Sequence, residues 1–289
     1  MHDGQAGAGL ARMRSRASNS VDQPGAAIIV NADDWGRDST TTDRSLECIH
    51  CGAVSSVSAM TFMEDSERSA GLARLHGVDA GLHLNFTLPY TAPHCPQRLK
   101  EHQEKLSRYL RSHRFARTLY HPGLADSFDY VVKIQLEEYE RLFGARPNRV
   151  DGHHHMHLCA NVTRQKLLPA GIILRRNFSF APGEKGSLNR LYRRRQDRKL
   201  ARRYRLTDFF FDLRPIEPRE RLARILELAP RYDIEVEAHP IRDEEFRFLV
   251  DGELMRRLGS VAVSPGYTLR FSRSGSSVDK IPMTQQARR

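Results

Sequence analysis

The chain has 289 residues, of which 39% are hydrophobic and 28% charged, so it can form one or two globular domains. The composition excludes a collagen, a coiled coil and a disulfide scaffold, and no apolar run approaches the roughly 20 residues that span a bilayer. The 46 Lys and Arg residues against 35 Asp and Glu leave a net charge of +11, which is typical of a nucleic-acid or membrane-surface partner or of a solvated basic face.

Apolar and β-branched runs alternate with helix-like stretches through the middle of the chain. Helices are predicted at 127–143, where Asp126 or Ser127 can cap the first turn, and at 218–228. The alternation predicts parallel βα units, and we favour an α/β fold built as a deformed (β/α) TIM-like barrel over an open sheet. We expect a single domain with seven parallel strands, at 26–31, 57–62, 80–86, 149–151, 172–176, 209–213 and 234–237.

Most of the positive charge lies in one segment. Residues 190–205 hold nine basic residues and one acid, so they carry +8 of the net charge. Leu191, Leu200 and Tyr204 can share one face, which predicts a helix. We favour a solvated or substrate-flanking face over nucleic-acid binding, because aromatic residues are sparse and no nucleic-acid-binding motif accompanies the segment. An anionic substrate is the hypothesis that this charge suggests.

The two ends of the chain differ from its middle. Residues 1–25 lack the apolar stretch of a signal peptide, and residues 270–289 are rich in Ser, Arg and Gln. We therefore predict a disordered arm over 1–25, the barrel over 26–269 and a disordered tail over 270–289. A cytoplasmic location follows, with the cysteines as reduced, partly buried thiols: Cys48, Cys51, Cys95 and Cys159.

Polar side chains lie in or directly after four of the predicted strands. The sequence NADDWG at 31–36 follows the first strand, and GLHLNFT at 81–87 contains the third. DGHHHMH at 151–157 follows the fourth strand, and EAHP at 237–240 follows the last. Because barrels place their active sites at the carboxyl ends of their strands, we expect the four clusters to converge there.

Two of these clusters offer carboxylates and imidazoles. Adjacent side chains diverge, so one carboxylate of the Asp pair at 33–34 can bind a metal while the other accepts a proton from water. The histidine at 83 lies in an apolar strand, where a lone histidine is more often a core residue. An extended backbone would send His153, His155 and His157 to one side and His154 to the other, and a surface metal scavenger is the alternative for this run.

One carboxylate and two imidazoles form a three-ligand set with open positions, as in catalytic metal sites. Zn²⁺, Mn²⁺ or Co²⁺ suit these ligands, and Mg²⁺, which prefers oxygen, is also a candidate. Such an ion polarises a carbonyl and activates water, which predicts hydrolysis of an amide or ester. The alternatives are a metal hydrolase of another amide or a phosphoester, a nucleic-acid-binding protein that uses 190–205, and a metal-free scaffold with a His-rich loop.

The four clusters together, in order and spacing, resemble the motifs of the YdjC/ChbG carbohydrate deacetylases. The resemblance spans about residues 28–240. It implies a deformed barrel that removes the N-acetyl group from an amino sugar, such as N-acetylglucosamine in a chitooligosaccharide, by metal-dependent hydrolysis. The implied partner is an N-acetylated saccharide. No nucleic acid and no membrane span are expected, and a homodimer is compatible with the sequence.

The resemblance also implies roles for individual residues. Asp34, His83 and His153 look like the metal ligands, Asp33 like the general base and His239 like the acid. Two departures affect these roles: Trp35 stands where the family usually has Phe, as packing or as a platform for a sugar ring, and the spacing from Glu237 to His239 is one residue tighter than usual. The residues expected to contact the saccharide are Trp35, Asn85, His155, His157 and Arg176.

Overall fold

A computed structural model describes residues 26–180 and 184–267 of the chain. The disordered segments predicted at 1–25 and 270–289 lie outside the described residues. All the strand pairs are parallel, which confirms the predicted α/β class. The strands are β1 (Ala27–Trp35), β2 (Ser56–Ala59), β3 (Asp79–Leu84), β4 (Arg149–Gly152), β5 (Ile173–Leu174), β6 (Phe209–Asp212), β7 (Ile234–Ala238) and β8 (Ala262–Val263).

Helices separate most of these strands, as the alternating pattern predicts. The helix expected at 127–143 begins two residues earlier, after a 3-10 turn, and no side chain caps it. The arginine-rich helix ends at Leu200, so Tyr204 lies beyond it. The helices are α1 (Ser39–His50), α2 (Ser66–His76), α3 (Gln97–Ser112), α4 (Ala125–Phe143), α5 (Ala160–Gln165), α6 (Ser187–Leu200), α7 (Arg219–Leu226), α8 (Asp243–Val250) and α9 (Glu253–Leu258).

The strands form one curled sheet in the order β5-β4-β3-β2-β1-β7-β6. Backbone hydrogen bonds connect its two ends: the amide of Ser179 donates to Phe210 at 2.8 Å, and that of Arg205 to Ile172 at 2.9 Å. The architecture confirms the predicted deformed TIM-like barrel. The short strand β8, which pairs with the start of β1, comes in addition to the seven predicted strands.

The core consists of the apolar runs that predicted the strands. Ile28 and Val30 of β1 are buried, as are residues that point to the opposite face, because a parallel sheet is covered on both sides. Helices α3 and α4 pack together, and their buried residues recur at helical spacing, such as Leu99 and Leu106 in α3. Three of the four free cysteines are buried and Cys51 is exposed.

Tyr267 closes the amino-terminal end of the sheet. Its hydroxyl donates a 2.5 Å hydrogen bond to Glu235, near the start of β7, and its amide donates to Asp79, the first residue of β3. The guanidinium of Arg149, the first residue of β4, lies 4.5 Å from the centre of its ring. Burial is the main cause that raises the pKa of Glu235. The charged form of this carboxyl group therefore depends on partners such as the Tyr267 hydroxyl, whose hydrogen bond lowers the pKa.

A tight turn after β1 depends on Gly36. Its φ is +85°, and an added Cβ would lie 2.5 Å from Oγ of Ser69, which donates to the Ser66 carbonyl. We expect Gly36→Ala to lower the free energy of unfolding by about 2–3 kcal/mol, from backbone strain and steric overlap together. Urea denaturation measures this loss.

Gly171 provides the matched control for this prediction. Its φ is +82°, yet an added Cβ would meet nothing within 4 Å. Gly171→Ala therefore carries the backbone cost alone, about 1 kcal/mol. Equal losses for the two variants would show that the contact with Ser69 does not matter.

Within the described residues, no helix combines the length and the apolar character that crossing a bilayer requires.

Candidate metal centre and active site

The tandem carboxylates at the end of β1 point to different partners. Asp34 has a left-handed φ of +66°, a conformation that residues other than glycine rarely adopt. Asp33 contacts Arg175, whereas Asp34 contacts His83 and His153. The structure therefore separates the two carboxylates, as the tandem pattern predicts.

Asp34, His83 and His153 form a compact ligand set. Oδ1 of Asp34 lies 3.3 Å from Nε2 of His83 and 2.9 Å from Nδ1 of His153. Arg37 donates to the other oxygen, Oδ2, at 3.0 Å. One ligand atom from each of the three residues lies within 4.8 Å of the others. Burial alone would raise the pKa of Asp34, but hydrogen bonds from the two histidines hold it well below its usual value.

The far side of the His83 ring is bound by Asp151, a residue of β4. The distance from Nδ1 to Oδ1 is 2.6 Å, and Ser58 donates to the other Asp151 oxygen at 2.5 Å. Burial would lower the pKa of His83, but the charge of Asp33 and the bond to Asp151 raise it to about 10. A metal ion bound at Nε2 has to displace the proton that the raised pKa keeps on this ring.

These residues fit a divalent cation. A carboxylate held at Nδ1 of a ligating histidine fixes the ring so that Nε2 faces the ion, and this arrangement is common around protein-bound metals. His83 and Asp151 show this arrangement, and the remaining atoms of the set are the carboxylate and imidazole groups that Zn²⁺, Mn²⁺ and Co²⁺ bind.

Asp33 is held by two hydrogen bonds from Arg175. Both guanidinium contacts measure 2.7 Å, and Asn31 donates to Oδ1 at 2.8 Å. Burial opposes ionisation of Asp33, but the charges of Arg175 and His83 and the hydrogen bonds from Arg175 together outweigh it, so the pKa lies below its usual value. Atoms of Asp33 and His83 lie within 4.8 Å of each other, so Asp33 borders the metal-ligand set without belonging to it.

Arg175 also contacts three further buried carboxylates. It contacts Asp151 at 3.2 Å, Glu235 at 2.7 Å and Glu237 at 3.2 Å. Four acids thus share one buried guanidinium. Burial and the charge of Asp33 raise the pKa of Glu237 well above its usual value.

His239 lies beside this network. Atoms of His239, Glu237 and Asp212 lie within 4.8 Å of one another. The backbone amide of His239 donates to Glu245, and Arg242 donates to Nδ1 at 3.2 Å.

Three predicted substrate-binding residues lie in the interior instead. Trp35 has no exposed surface and its indole donates to the carbonyl of Ser69, which favours the packing role over the sugar platform. Asn85 is equally buried and caps the turn after β3 through Thr87. His157 is buried against the Arg175 carbonyl. Contact of these three residues with a saccharide stays a prediction, since each is buried and bound to the protein in this structure.

The other two predicted substrate residues are partly accessible. His155 lies 3.7 Å from Glu237 and packs edge-on against Phe178, so it borders the site. Arg176 points away from the site, because it pairs with Asp197 of α6. The neighbouring residue, Arg175, is the one that points towards the site, where it pairs with Asp33.

The histidine run departs from its predicted backbone. Residues 153–158 form a 3-10 turn in which His154 and His155 have left-handed φ values of 55° and 57°. The predicted alternation of an extended strand is therefore wrong. Only His153 of the run joins the metal-ligand set, while His154 contacts Thr87.

His157 makes stability depend on pH. Burial is the main cause that lowers its pKa from 6.5 to about 4, and its Nδ1 has no hydrogen-bond partner within the described residues. The unfolded chain takes up a proton first, so this contribution to stability is present above pH 6.5 and is lost as the pH falls towards 4.

His157→Gln removes this titration while its amide can still donate to Arg175. Between pH 7.5 and pH 5, we expect the free energy of unfolding of the wild type to fall by about 2 kcal/mol more than that of the variant. Urea denaturation at the two pH values measures the difference. Parallel losses in the two proteins would contradict the assignment.

Three important residues carried no assigned role in the sequence: Asp151, Arg175 and Glu237. Asp151 lies just before the histidine run, and its position at the end of a predicted strand was the signal that could have identified it as a site residue. For the arginine pair at 175–176, a two-residue strand gives no reliable alternation, so sequence alone could not choose the inward residue.

The fold and the site define an α/β barrel protein with an Asp–His ligand set at the carboxyl ends of its strands. Residues 27–260 match the family model described as YdjC-like protein. The chain belongs to this family, which confirms the resemblance of its motifs.

Several curated relatives carry the name chitooligosaccharide deacetylase. The one from Serratia marcescens is 31% identical over 132 residues, which are 45% of this chain and 50% of the relative. The one from Yersinia pestis (strain Pestoides F) is 32% identical over 155 residues, 50% of this chain and 58% of the relative. The chain thus spans about half the length of the curated relatives it matches.

A solved structure from Enterococcus faecalis V583 supports the fold. It is described as that of a candidate cellobiose-phosphate cleavage protein. It is 16% identical, with a TM-score of 0.57, and the match covers 83% of this chain and 97% of the other. At this identity the likeness concerns the fold alone.

Proposed function

We propose that this protein is a metal-dependent hydrolase that removes the N-acetyl group from an amino sugar, of the N-acetylglucosamine type, in an oligosaccharide or glycoconjugate. The observation that carries the proposal is the ligand set of Asp34, His83 and His153 with a separate carboxylate, Asp33, at its border. The names of the curated relatives support the substrate class. Zn²⁺, Mg²⁺, Mn²⁺ and Co²⁺ are the candidate cofactors.

Each residue has a distinct role in this proposal. Asp34, His83 and His153 hold the ion, and Asp151 orients the His83 ring. When bound, the ion supplies Lewis acidity toward an acetamide carbonyl and toward water. Asp33, kept ionised by Arg175, accepts the proton of the attacking water. His239, in its protonated form, is the acid that donates a proton to the departing amine.

Acetate release tests this proposal. The protein is stripped with a chelator, restored with each of the four metals in turn, and incubated with N-acetylated chitooligosaccharides and with glycoconjugates. We expect release only after metal restoration. If no member of the panel releases acetate while elemental analysis finds the metal bound, the function is hydrolysis of another amide or of a phosphoester.

Other expectations remain predictions from the sequence. These are the domain limits 26–269, the cytoplasmic location, the lack of a nucleic-acid partner and a homodimer. Light scattering coupled to size exclusion measures the oligomeric state.

A further inference from the structure

Exposed apolar side chains concentrate in two segments. Among the described residues, seven large hydrophobic side chains are exposed, and five of them lie at 115–119 and 188–192. Leu188 is 81% exposed, which is unusual for a leucine on a helix of a globular protein. The five are Phe115, Leu119, Leu188, Leu191 and Tyr192.

On α6 the apolar residues continue into a cationic stripe. Leu188, Leu191, Tyr192, Arg195 and Lys199 follow helical spacing and are all exposed. The opposite face of this helix is the one that packs inward, through Asp197 and Leu200. The exposed stripe is therefore amphipathic along its length, apolar at its start and basic towards its end.

The charge of this surface is positive and uncompensated. The acid of α6, Asp197, binds Arg176 and Asn177 on the inner side of the helix. None of the ion pairs within 26–180 and 184–267 includes Arg117, Arg195 or Lys199. We call these residues, together with the five exposed apolar ones, the Arg–Leu surface.

A cavity joins the two segments into one surface. It has a volume of about 860 Å³, and its walls include Arg117 from the first segment and Tyr192 and Arg193 from α6. Its walls also include His155 and Phe178, and His155 lies 3.7 Å from Glu237 of the candidate active site. The exposed segments thus lie at a cavity that borders the site through His155.

We propose that the Arg–Leu surface docks on an anionic lipid membrane. Leucine and aromatic side chains enter the boundary between headgroups and acyl chains, and Lys and Arg bind the anionic headgroups. Nucleic acid fits less well, because exposed leucines gain nothing on a phosphate backbone. A second copy of the chain fits less well too, because it would bring two uncompensated basic surfaces together. Docking turns the cavity towards the headgroups.

Vesicle co-sedimentation tests the proposal without relying on the deacetylase activity. The wild-type chain is mixed with vesicles of phosphatidylcholine alone or of equal parts phosphatidylcholine and phosphatidylglycerol. We expect binding to the anionic vesicles, and we expect it to weaken when salt rises from 0.1 M to 0.5 M. No binding to either vesicle would overturn the proposal.

Two double variants separate the apolar and ionic contributions. Leu188→Ser with Leu191→Ser should weaken binding at least tenfold. Arg195→Ala with Lys199→Ala should weaken it by about 25-fold, since each basic residue near the headgroups contributes about fivefold. The matched controls, Leu75→Ser and Arg231→Ala, alter an exposed leucine and an exposed arginine elsewhere and should bind like the wild type.

Other partners give different results with the same proteins. If a DNA duplex or a single-stranded RNA binds, and the arginine–lysine variant loses this binding while the leucine variant keeps both nucleic-acid and vesicle binding, the surface is for nucleic acid. A dimer that the leucine variant dissociates in the absence of lipid shows a self-association face. Either result overturns the membrane proposal.

Discussion

An Asp33→Asn variant is expected to keep its bound metal and to lose about 10²–10⁴-fold in kcat/KM for acetate release. The amide has the shape of the carboxylate but cannot accept the proton of the attacking water. Asp33 contacts Arg175 and Asn31 and lies outside the Asp34, His83 and His153 set, so we expect the three ligands to keep the metal in this variant. Steady-state kinetics and elemental analysis of the same preparation measure the two properties.

The same substitution at the next residue is the matched control. Asp34→Asn weakens a ligand that lies 2.9 Å and 3.3 Å from two histidines, so we expect it to lose the metal together with the activity. His83→Ala should behave in the same way. If the variants at 33 and 34 lose metal equally, the general base has been assigned to the wrong residue.

Arg175→Met is expected to lower the free energy of unfolding by about 3–5 kcal/mol or more. The variant leaves four carboxyl groups without their shared cation, and uncompensated buried charge is among the most costly changes in a protein. Urea denaturation at pH 7 measures the loss. Arg176→Met is the matched control: its partner Asp197 keeps two hydrogen bonds from Asn177, so we expect a loss of about 1–2 kcal/mol.

The stability of Arg175→Met depends on pH, and the sign of this dependence can be derived. In the wild type, burial opposes ionisation, but Arg175 and His83 hold the pKa of Asp151 well below its usual value, so its contribution to stability is lost as the pH falls into the acid range. Without the arginine, burial raises the pKa of the same carboxyl groups. Arg175→Met should therefore lose less stability than the wild type as the pH falls from 7 to 5. Equal stability of the two variants at pH 7 would contradict the role given to Arg175.

The sequence was sufficient for seven of the eight strands and for the convergence of the clusters. Apolar runs that end in Asp33, His83 or Glu237 are informative because both features, burial and a strand terminus, are local. The barrel class and the family followed from this order of motifs. Asp34, His83 and His153 lie in one group, and their role as metal ligands stays a prediction.

Features that depend on tertiary contacts could not be predicted. The two neighbouring arginines at 175 and 176 have opposite surroundings, which are decided by acids from three other strands. The burial of Trp35, and the hydrogen bond that its indole donates to the carbonyl of Ser69, likewise depend on residues distant in the sequence. The left-handed residues 154 and 155 follow no local signal, since histidine rarely adopts this conformation.

The position of Tyr267 has a consequence for the synthesis of the protein. The growing chain emerges from the ribosome with its amino-terminal part first, so Glu235 and Arg149 are made before the tyrosine that binds one and stacks on the other. Until residue 267 emerges, the amino-terminal end of the sheet lacks the contacts that Tyr267 makes. A nascent chain arrested before this point should be digested by proteases, and one arrested well beyond it should resist them.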